Sequence, residues 1–237
     1  MDSKLMEKMQ ICMKTLEDSQ FFLAFLTQTE TPPLSEKILK ALGTESSMQM
    51  VIYGLGNIGS NLDSQRQLSL ALLMKRKFSW ISNIEVFDPV ITLEESRVLE
   101  ALGCCLLNVD EKCRRQAPKP TLFFMPHCEE YLYGNLLEAN WGIDMLNRIV
   151  LIGNPFTKYM RDWIRFSRLE LPEKWEFIEN CKQEYILAAL SFTKEFEIGG
   201  TTKPLVSGFA NTSWQFFNPI SESELQLRKF SFSQLSG

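Results

Sequence analysis

The chain has 237 residues, 45% of them apolar and 23% charged, with a formal net charge of −4. That balance fits a soluble globular domain with a sizeable core and excludes a disordered chain. The acidic excess argues against direct nucleic-acid binding, which needs a basic face, and no apolar run approaches the ~20 residues that span a bilayer.

Residues from about Ser3 to Phe25 read as one helix, because Leu5, Met9, Met13 and Leu16 recur at helical spacing. Thr31-Pro32-Pro33 breaks it, and Leu34 to Leu42 is a short second helix closed by Gly43. These first residues form a helical lead-in that covers the sheet, with a partner-binding arm as the other reading. Gln49 to Tyr53 is the first core strand. Asn57 to Arg76 is the first crossover helix, and Asn83 to Phe87 is the second strand. Thr92-Leu93-Glu94-Glu95 is a capping box that opens a helix to Leu102, closed by Gly103. Cys104 to Val109, Thr121 to Met125 and Arg148 to Ile152 are the next strands, with helices over Tyr131 to Asn140 and Phe156 to Ser167. A further helix opens at Pro172 and runs to Leu190. Thr193 to Ile198 and Ser213 to Phe217 are two late strands that extend the sheet antiparallel at one edge. Everything from Ser221 onward is polar and expected to fray.

Alternating strands and helices make this an α/β chain: a Rossmann-like three-layer sandwich with a mostly parallel sheet and an antiparallel C-terminal strand pair. The expected units are an N-terminal helical extension (1–47), the Rossmann-type domain (48–218) and a polar tail (219–237).

The chemistry is expected at the carboxyl ends of the strands. Gly54-Leu55-Gly56-Asn57-Ile58-Gly59 has the G-x-G-x-x-G spacing after a strand and before a helix. In that setting the glycines permit a sharp turn, close approach of a phosphate or ribose, and tight helix packing. The other reading is a tight strand–helix turn without a ligand. Asp88 ends the second strand, where a carboxylate can bond ribose hydroxyls, or simply form an Asp-Pro turn. It lies 29 residues beyond Gly59, against the usual spacing of about 20. His127, the sole imidazole, is the candidate general acid or base; its other role is a turn residue bonded to backbone. Cys128 beside it is a candidate thiolate, although neighbours on an extended chain point opposite ways. Asn154 can bond a base or hold its turn. Gly54, Gly56, Gly59, Asp88 and Asn154 are thus the expected cofactor-binding residues. A Gly56→Val change is expected to abolish binding while the fold survives. Lys158, Arg161, Arg165 and Arg168 line one side of a helix, as a solvated face or a seat for an acidic partner.

The six cysteines, Cys12, Cys104, Cys105, Cys113, Cys128 and Cys181, contain no C-x-x-C pair, so no metal site is expected. Met1 to Lys14 alternate in charge and show no signal-peptide core. The expectation is a cytoplasmic protein with reduced thiols, and nothing at this size bars it from the nucleus.

Six blocks at these strand ends resemble a known family. They are Gly54-Leu55-Gly56-Asn57-Ile58-Gly59, Arg66-Gln67-Leu68, Phe87-Asp88-Pro89, Phe124-Met125-Pro126-His127-Cys128, Leu151-Ile152-Gly153-Asn154-Pro155-Phe156 and Asn211-Thr212-Ser213-Trp214. In this order they are similar to the Sensitivity to Red Light Reduced family, whose animal members are called SRR-like or SRRD proteins. The chain departs from the family pattern at Pro155, where Ser is usual, and at Ala210-Asn211, where Asn-Asp is usual. The resemblance implies a regulator: light signalling and circadian clock input in plants, clock gene expression and regulation of haem biosynthesis in animals. It brings no assigned reaction. Its implied partners are unidentified proteins of a signalling pathway.

Two enzyme classes stand beside the regulatory reading, with NAD(P) or S-adenosylmethionine as the candidate cofactor. The glycine spacing favours the dinucleotide. A last strand inserted antiparallel next to the fifth would favour the methyltransferase arrangement.

Overall fold

The computed structural model describes residues 2–167, 183–199 and 207–226. Its centre is β1 (Met48–Tyr53), which pairs in parallel with β2 (Ile81–Phe87) on one side and β4 (Thr121–Met125) on the other. The short β3 (Cys104–Leu106) extends the sheet beyond β2, and β5 (Ile149–Gly153) follows β4 in parallel. β7 (Ser213–Phe217) is antiparallel to β5, with Leu151 opposite Gln215, and antiparallel to β6 (Thr193–Glu197), with Glu195 opposite Gln215. The order is β3-β2-β1-β4-β5-β7-β6. The expected C-terminal antiparallel pair is present, and its last strand lies inside the pair, between β5 and β6.

Both faces of the sheet are covered, so its middle strands are apolar on both sides and the period-2 alternation only decides which face each residue serves. Met50, Ile52, Leu122, Phe124, Val150, Ile152, Trp214 and Phe216 pack with the helices α1 (Asp2–Glu17), α2 (Gln20–Glu30), α3 (Leu34–Leu42), α4 (Leu62–Lys77) and α5 (Leu93–Ala101). Val51, Tyr53, Phe123, Met125, Leu151 and Phe217 face the other way, toward α6 (Glu130–Ala139), α7 (Ile143–Leu146), α8 (Phe156–Ser167) and α9 (Gln183–Ala189). Each fully buried large side chain in these layers stabilises by about 1.5–3 kcal/mol.

The N-terminal helices are part of the first layer. Phe25 stacks on Trp214 of β7 at 5.6 Å and Phe21 on Phe209 at 4.9 Å. Gln28 donates to the Glu197 carbonyl at 2.7 Å and accepts from the Gly199 N–H at 3.0 Å, which ties α2 to the end of β6.

The structure departs from the sequence reading at several boundaries. The first helix is two: Ser19 has extended backbone and accepts from the Phe22 N–H at 3.1 Å, so its side chain caps a new helix. The crossover helix starts at Leu62, not Asn57. Asn57 Oδ1 accepts from the Ser60 N–H at 2.8 Å and from its hydroxyl at 2.7 Å, which holds a local turn, and Asn61 then caps the helix. β3 stops at Leu106. Residues after Ser221 do not all fray. A capping box of Ser221 and Glu224 sets a 3-10 turn, Glu222–Leu225, whose Leu225 is buried and whose carbonyl accepts from Trp141 Nε1 at 2.8 Å. Most of the helix expected from Pro172 lies outside the described residues, as do Arg168 and Cys181; its last part is α9.

Candidate functional site

Strand order reverses between β1 and β4, and the chain leaves their carboxyl ends in opposite directions. That reversal opens a crevice of about 570 Å³, within the ~300–1,000 Å³ usual for ligand sites. Its lining brings together the ends of three strands: Tyr53 and Gly54 after β1, Phe87 and Asp88 after β2, and His127 and Cys128 after β4. Asp110, Lys112, Glu129 and Tyr131 complete the rim, so three carboxylates face one lysine. A second hollow of about 510 Å³ lies between α1 and α4. No strand-end residue lines it, so the switch-point crevice is the candidate.

Two donors of the glycine loop are held by the protein's own carboxylates. The Gly56 N–H donates to Asp88 Oδ2 at 2.8 Å, and the Gly59 N–H donates to Glu95 Oε1 at 2.9 Å. Asp88 Oδ1 accepts in turn from the Val90 N–H at 3.0 Å. Glu95 is 2% exposed and is the N3 residue of the expected capping box, where its Oε2 accepts from the Thr92 N–H and hydroxyl, both at 2.8 Å. One carboxylate therefore caps α5 and anchors the loop between β1 and α4. The glycines make room for protein atoms. A Cβ on Gly54 would overlap the Cys128 thiol, and one on Gly56 would lie 2.9 Å from Ser64 Oγ. Both have left-handed backbone, with φ +69° and +74°. Gly56→Val therefore strains the loop itself, so a loss of binding in that variant does not separate ligand contact from loop distortion.

On the other side of the switch point the strand ends are closed. Asn154, after β5, is 8% exposed and fully engaged. Its Oδ1 accepts from the His127 N–H at 3.0 Å, and its Nδ2 donates to the Cys128 carbonyl at 3.2 Å and to the Tyr159 hydroxyl at 2.8 Å. The Tyr133 hydroxyl accepts from the Asn154 N–H at 2.9 Å and donates to the Met125 carbonyl. Tyr159 donates to the Cys128 carbonyl at 3.1 Å. Burial pushes the Tyr133 hydroxyl well above its ordinary 10.0, reinforced by Tyr159 and Cys128. Burial likewise pushes the Cys128 thiol far above its ordinary 9.0, with Asp88 and Glu129 adding to the shift. Cys128 is thus held as a neutral thiol, packed under Gly54 and donating to the Tyr53 carbonyl at 3.4 Å.

A roof joins the two sides. The Gly208 carbonyl accepts from Gln67 Nε2 of α4 at 3.0 Å and lies 3.1 Å from His127 Nε2. A carbonyl only accepts, so Nε2 is the protonated nitrogen in this contact. His127 itself has left-handed backbone, φ +59°. Ser207 donates to Asp63 and accepts from Arg66, which clips residues 207 and 208 to the first two turns of α4. The outer wall is held by Tyr53, which donates to Glu111, and by Arg115, which pairs with Glu85 at 2.6 Å.

Gly54, Asp88 and His127 therefore line one crevice. Gly56 and Gly59 sit in the loop behind it, bonded to carboxylates, and Asn154 braces the turn behind His127 without lining the space. Glu95, Tyr133 and Tyr159 escape sequence reasoning. The only sequence signal for Glu95 is its cap position, and Tyr133 and Tyr159 are marked only by falling in the first turn of the helix after β4 and β5. Arg161 and Arg165 are exposed on α8, and Lys158 pairs with Asp162 at 2.6 Å. Among the described residues no group of three or more His, Cys, Asp or Glu is placed to hold a metal, and no helix is long and apolar enough to cross a membrane.

The SRR1 domain model matches residues 14–231. The protein SENSITIVITY TO RED LIGHT REDUCED 1 of Arabidopsis thaliana is 46% identical over 226 residues, 95% of this chain and 78% of the plant protein. An SRR1-like protein of Mus musculus is 40% identical over 113 residues, 47% of this chain and 45% of the mouse protein. One of Drosophila melanogaster is 29% identical over 108 residues, 46% of this chain and 39% of the fly protein.

Proposed function

This chain belongs to the SRR1 domain family, and from that premise we propose that it is a regulatory protein of the light-signalling and clock-input type. The observation that carries the reading is the near full-length match to a plant protein named for sensitivity to red light. In this reading the chain acts in the cytoplasm and nucleus through protein partners of a signalling pathway, without contacting nucleic acid. The family resemblance extends this reading to regulation of haem biosynthesis.

The same reading assigns the switch-point crevice a nucleotide-type ligand. What supports this is that five of the six resembling blocks (the glycine loop, Arg66-Gln67, Asp88, His127 and the Asn154 turn) meet around one space or brace its walls. A second reading, an enzyme that uses NAD(P) or S-adenosylmethionine, is favoured by the insertion of β7 between β5 and β6.

Complementation tests the regulatory reading. Expressed in Arabidopsis thaliana lacking its own SENSITIVITY TO RED LIGHT REDUCED 1, this chain is expected to restore the red-light growth response and the period of a clock-driven reporter. Full expression without restoration of either would overturn it. An Asp88→Ala variant that restores both as well as the unaltered chain would remove the crevice from the function.

A further inference from the structure

We propose that the crevice takes a nucleoside bearing a cationic, pyrophosphate-free substituent, the S-adenosylmethionine class, and rejects dinucleotides. The inference rests on the reading of the crevice as a nucleotide-type site and decides which chemistry enters it.

The first argument is where the loop N–H groups point. A pyrophosphate-binding turn offers its glycine N–H groups to the anion. Here the Gly56 and Gly59 N–H groups are already bonded to Asp88 and Glu95 at 2.8 and 2.9 Å. A pyrophosphate seated on that loop would meet two carboxylates where it needs donors, and like charges at that separation repel. The start of α4 offers no substitute. The helix begins at Leu62, beyond the loop, and Asn61 Oδ1 already accepts from the Asp63 and Ser64 N–H groups at 2.8 and 3.3 Å.

The second argument is what the crevice offers instead. Asp88 is held by two backbone donors, Gly56 N–H on one oxygen and Val90 N–H on the other. Each oxygen keeps a lone pair, and a fixed carboxylate of this kind matches the two O–H donors of a ribose diol. Asp110 and Glu129 add negative charge to the lining, against Lys112 alone. A sulfonium and an ammonium are attracted by that field, and a pyrophosphate is repelled. Lys112, on the same rim, is available to the ligand's single carboxylate.

The third argument is independent of charge. The β3-β2-β1-β4-β5-β7-β6 order, with β7 alone antiparallel, is the arrangement that the sequence reading set as the mark of the methyltransferase class. It is an argument from fold and carries less than the site chemistry.

Titration calorimetry on the full chain with S-adenosylmethionine, S-adenosylhomocysteine, NAD and ADP tests this. The expected result is binding of the first two and none by NAD or ADP. Asp88→Asn keeps an acceptor for one of the two N–H groups, Gly56 or Val90, and turns its NH₂ toward the other, so a modest loss of stability accompanies it without loss of the fold. Affinity is expected to fall roughly 10- to 100-fold, the loss of charge-assisted hydrogen bonds. Circular dichroism and the thermal midpoint of Asp88→Asn check the fold separately. If NAD or ADP binds more tightly than S-adenosylmethionine and Asp88→Asn weakens it, the inference falls and the nucleotide-type reading stands. If none of the four binds, both fall.

Discussion

The two sides of the switch point use the same architecture to opposite ends. After β1 and β2 the strand ends open onto a crevice lined by Gly54, Asp88 and the 110–113 loop. After β4 and β5 the turns are braced from behind by Asn154, Tyr133 and Tyr159, whose hydrogen bonds fix the backbone from Met125 to Cys128 while His127 and Cys128 face the crevice. The open side carries carboxylates and the closed side carries neutral phenols and an amide. The difference shows how a rigid wall is made for a pocket: one half positions the backbone that the other half's lining leans on. It also shows that a glycine-rich turn is no evidence of a bound phosphate. Its donors must be free, and here two of them are bonded to the protein's own carboxylates.

The comparison is tested most sharply at Asn154. Asn154→Ala strands the His127 N–H and removes one partner each from the Cys128 carbonyl and the Tyr159 hydroxyl, which keep only their bond to each other. The stranded N–H carries a desolvation penalty, and the total loss is expected to be about 3 kcal/mol by urea denaturation. Glu129→Gln, on the exposed rim of the crevice, is expected to change stability by less than about 0.5 kcal/mol. Equal losses from the two variants would erase the distinction between a structural half and an open half.

Next in size is Gly56→Ala. The left-handed backbone and the Ser64 Oγ, 2.9 Å from the new Cβ, together are expected to cost about 2 kcal/mol. In the background of Ser64→Ala the contact is relieved, and about 1 kcal/mol is expected to remain from the backbone alone. If the double mutant shows no such coupling, Gly56 is not there to admit Ser64, and the close-approach role returns to a ligand.

Glu95→Gln is smaller again. The amide keeps one acceptor and turns its NH₂ toward a donor, so either the Gly59 N–H or the Thr92 end loses its partner. The expected loss is about 1.5 kcal/mol, with earlier amide exchange at Gly59 and in the first turn of α5. Exchange confined to α5 would mean that the carboxylate caps the helix without anchoring the loop.

Much of this fold is legible in the sequence, for reasons that can be located. β4 and β7 fall on the expected residues because each is a five-residue run that is buried throughout, bounded by proline or polar turns. The Thr92 capping box is legible because its two partners are three residues apart. The start of α4 is not, since Asn57 and Asn61 are equally good caps and only the tertiary contacts of the loop choose between them. The rim of the site follows from the rule that ligands sit at strand ends, which brings Gly54, Asp88, His127 and Cys128 together. What the rule does not supply is occupancy. Glu95 reaching Gly59, Cys128 under Gly54 and Tyr133 against Gly153 are contacts between residues 20 or more positions apart, and no local pattern encodes them.

The smallest expected effect separates the two halves by pH. Burial holds the Cys128 and Cys113 thiols above their ordinary 9.0, and the Tyr133, Tyr159 and Tyr53 hydroxyls above their ordinary 10.0. The folded chain keeps these groups protonated where the unfolded chain releases protons. Their contribution is therefore complete below the ordinary values and is lost as pH rises past them. The urea midpoint is expected to be flat with respect to these groups up to about pH 8.5 and to fall from about pH 9 upward. Tyr159→Phe removes one titrating group from the closed half. It lowers the neutral-pH stability by the lost Asn154 and Cys128 bonds, but its alkaline decline is expected to be shallower than that of the unaltered chain. Tyr131→Phe, on the half-exposed rim, is expected to leave the slope close to that of the unaltered chain. If the two variants decline in parallel, the closed half is no more sealed against hydroxide than the open one.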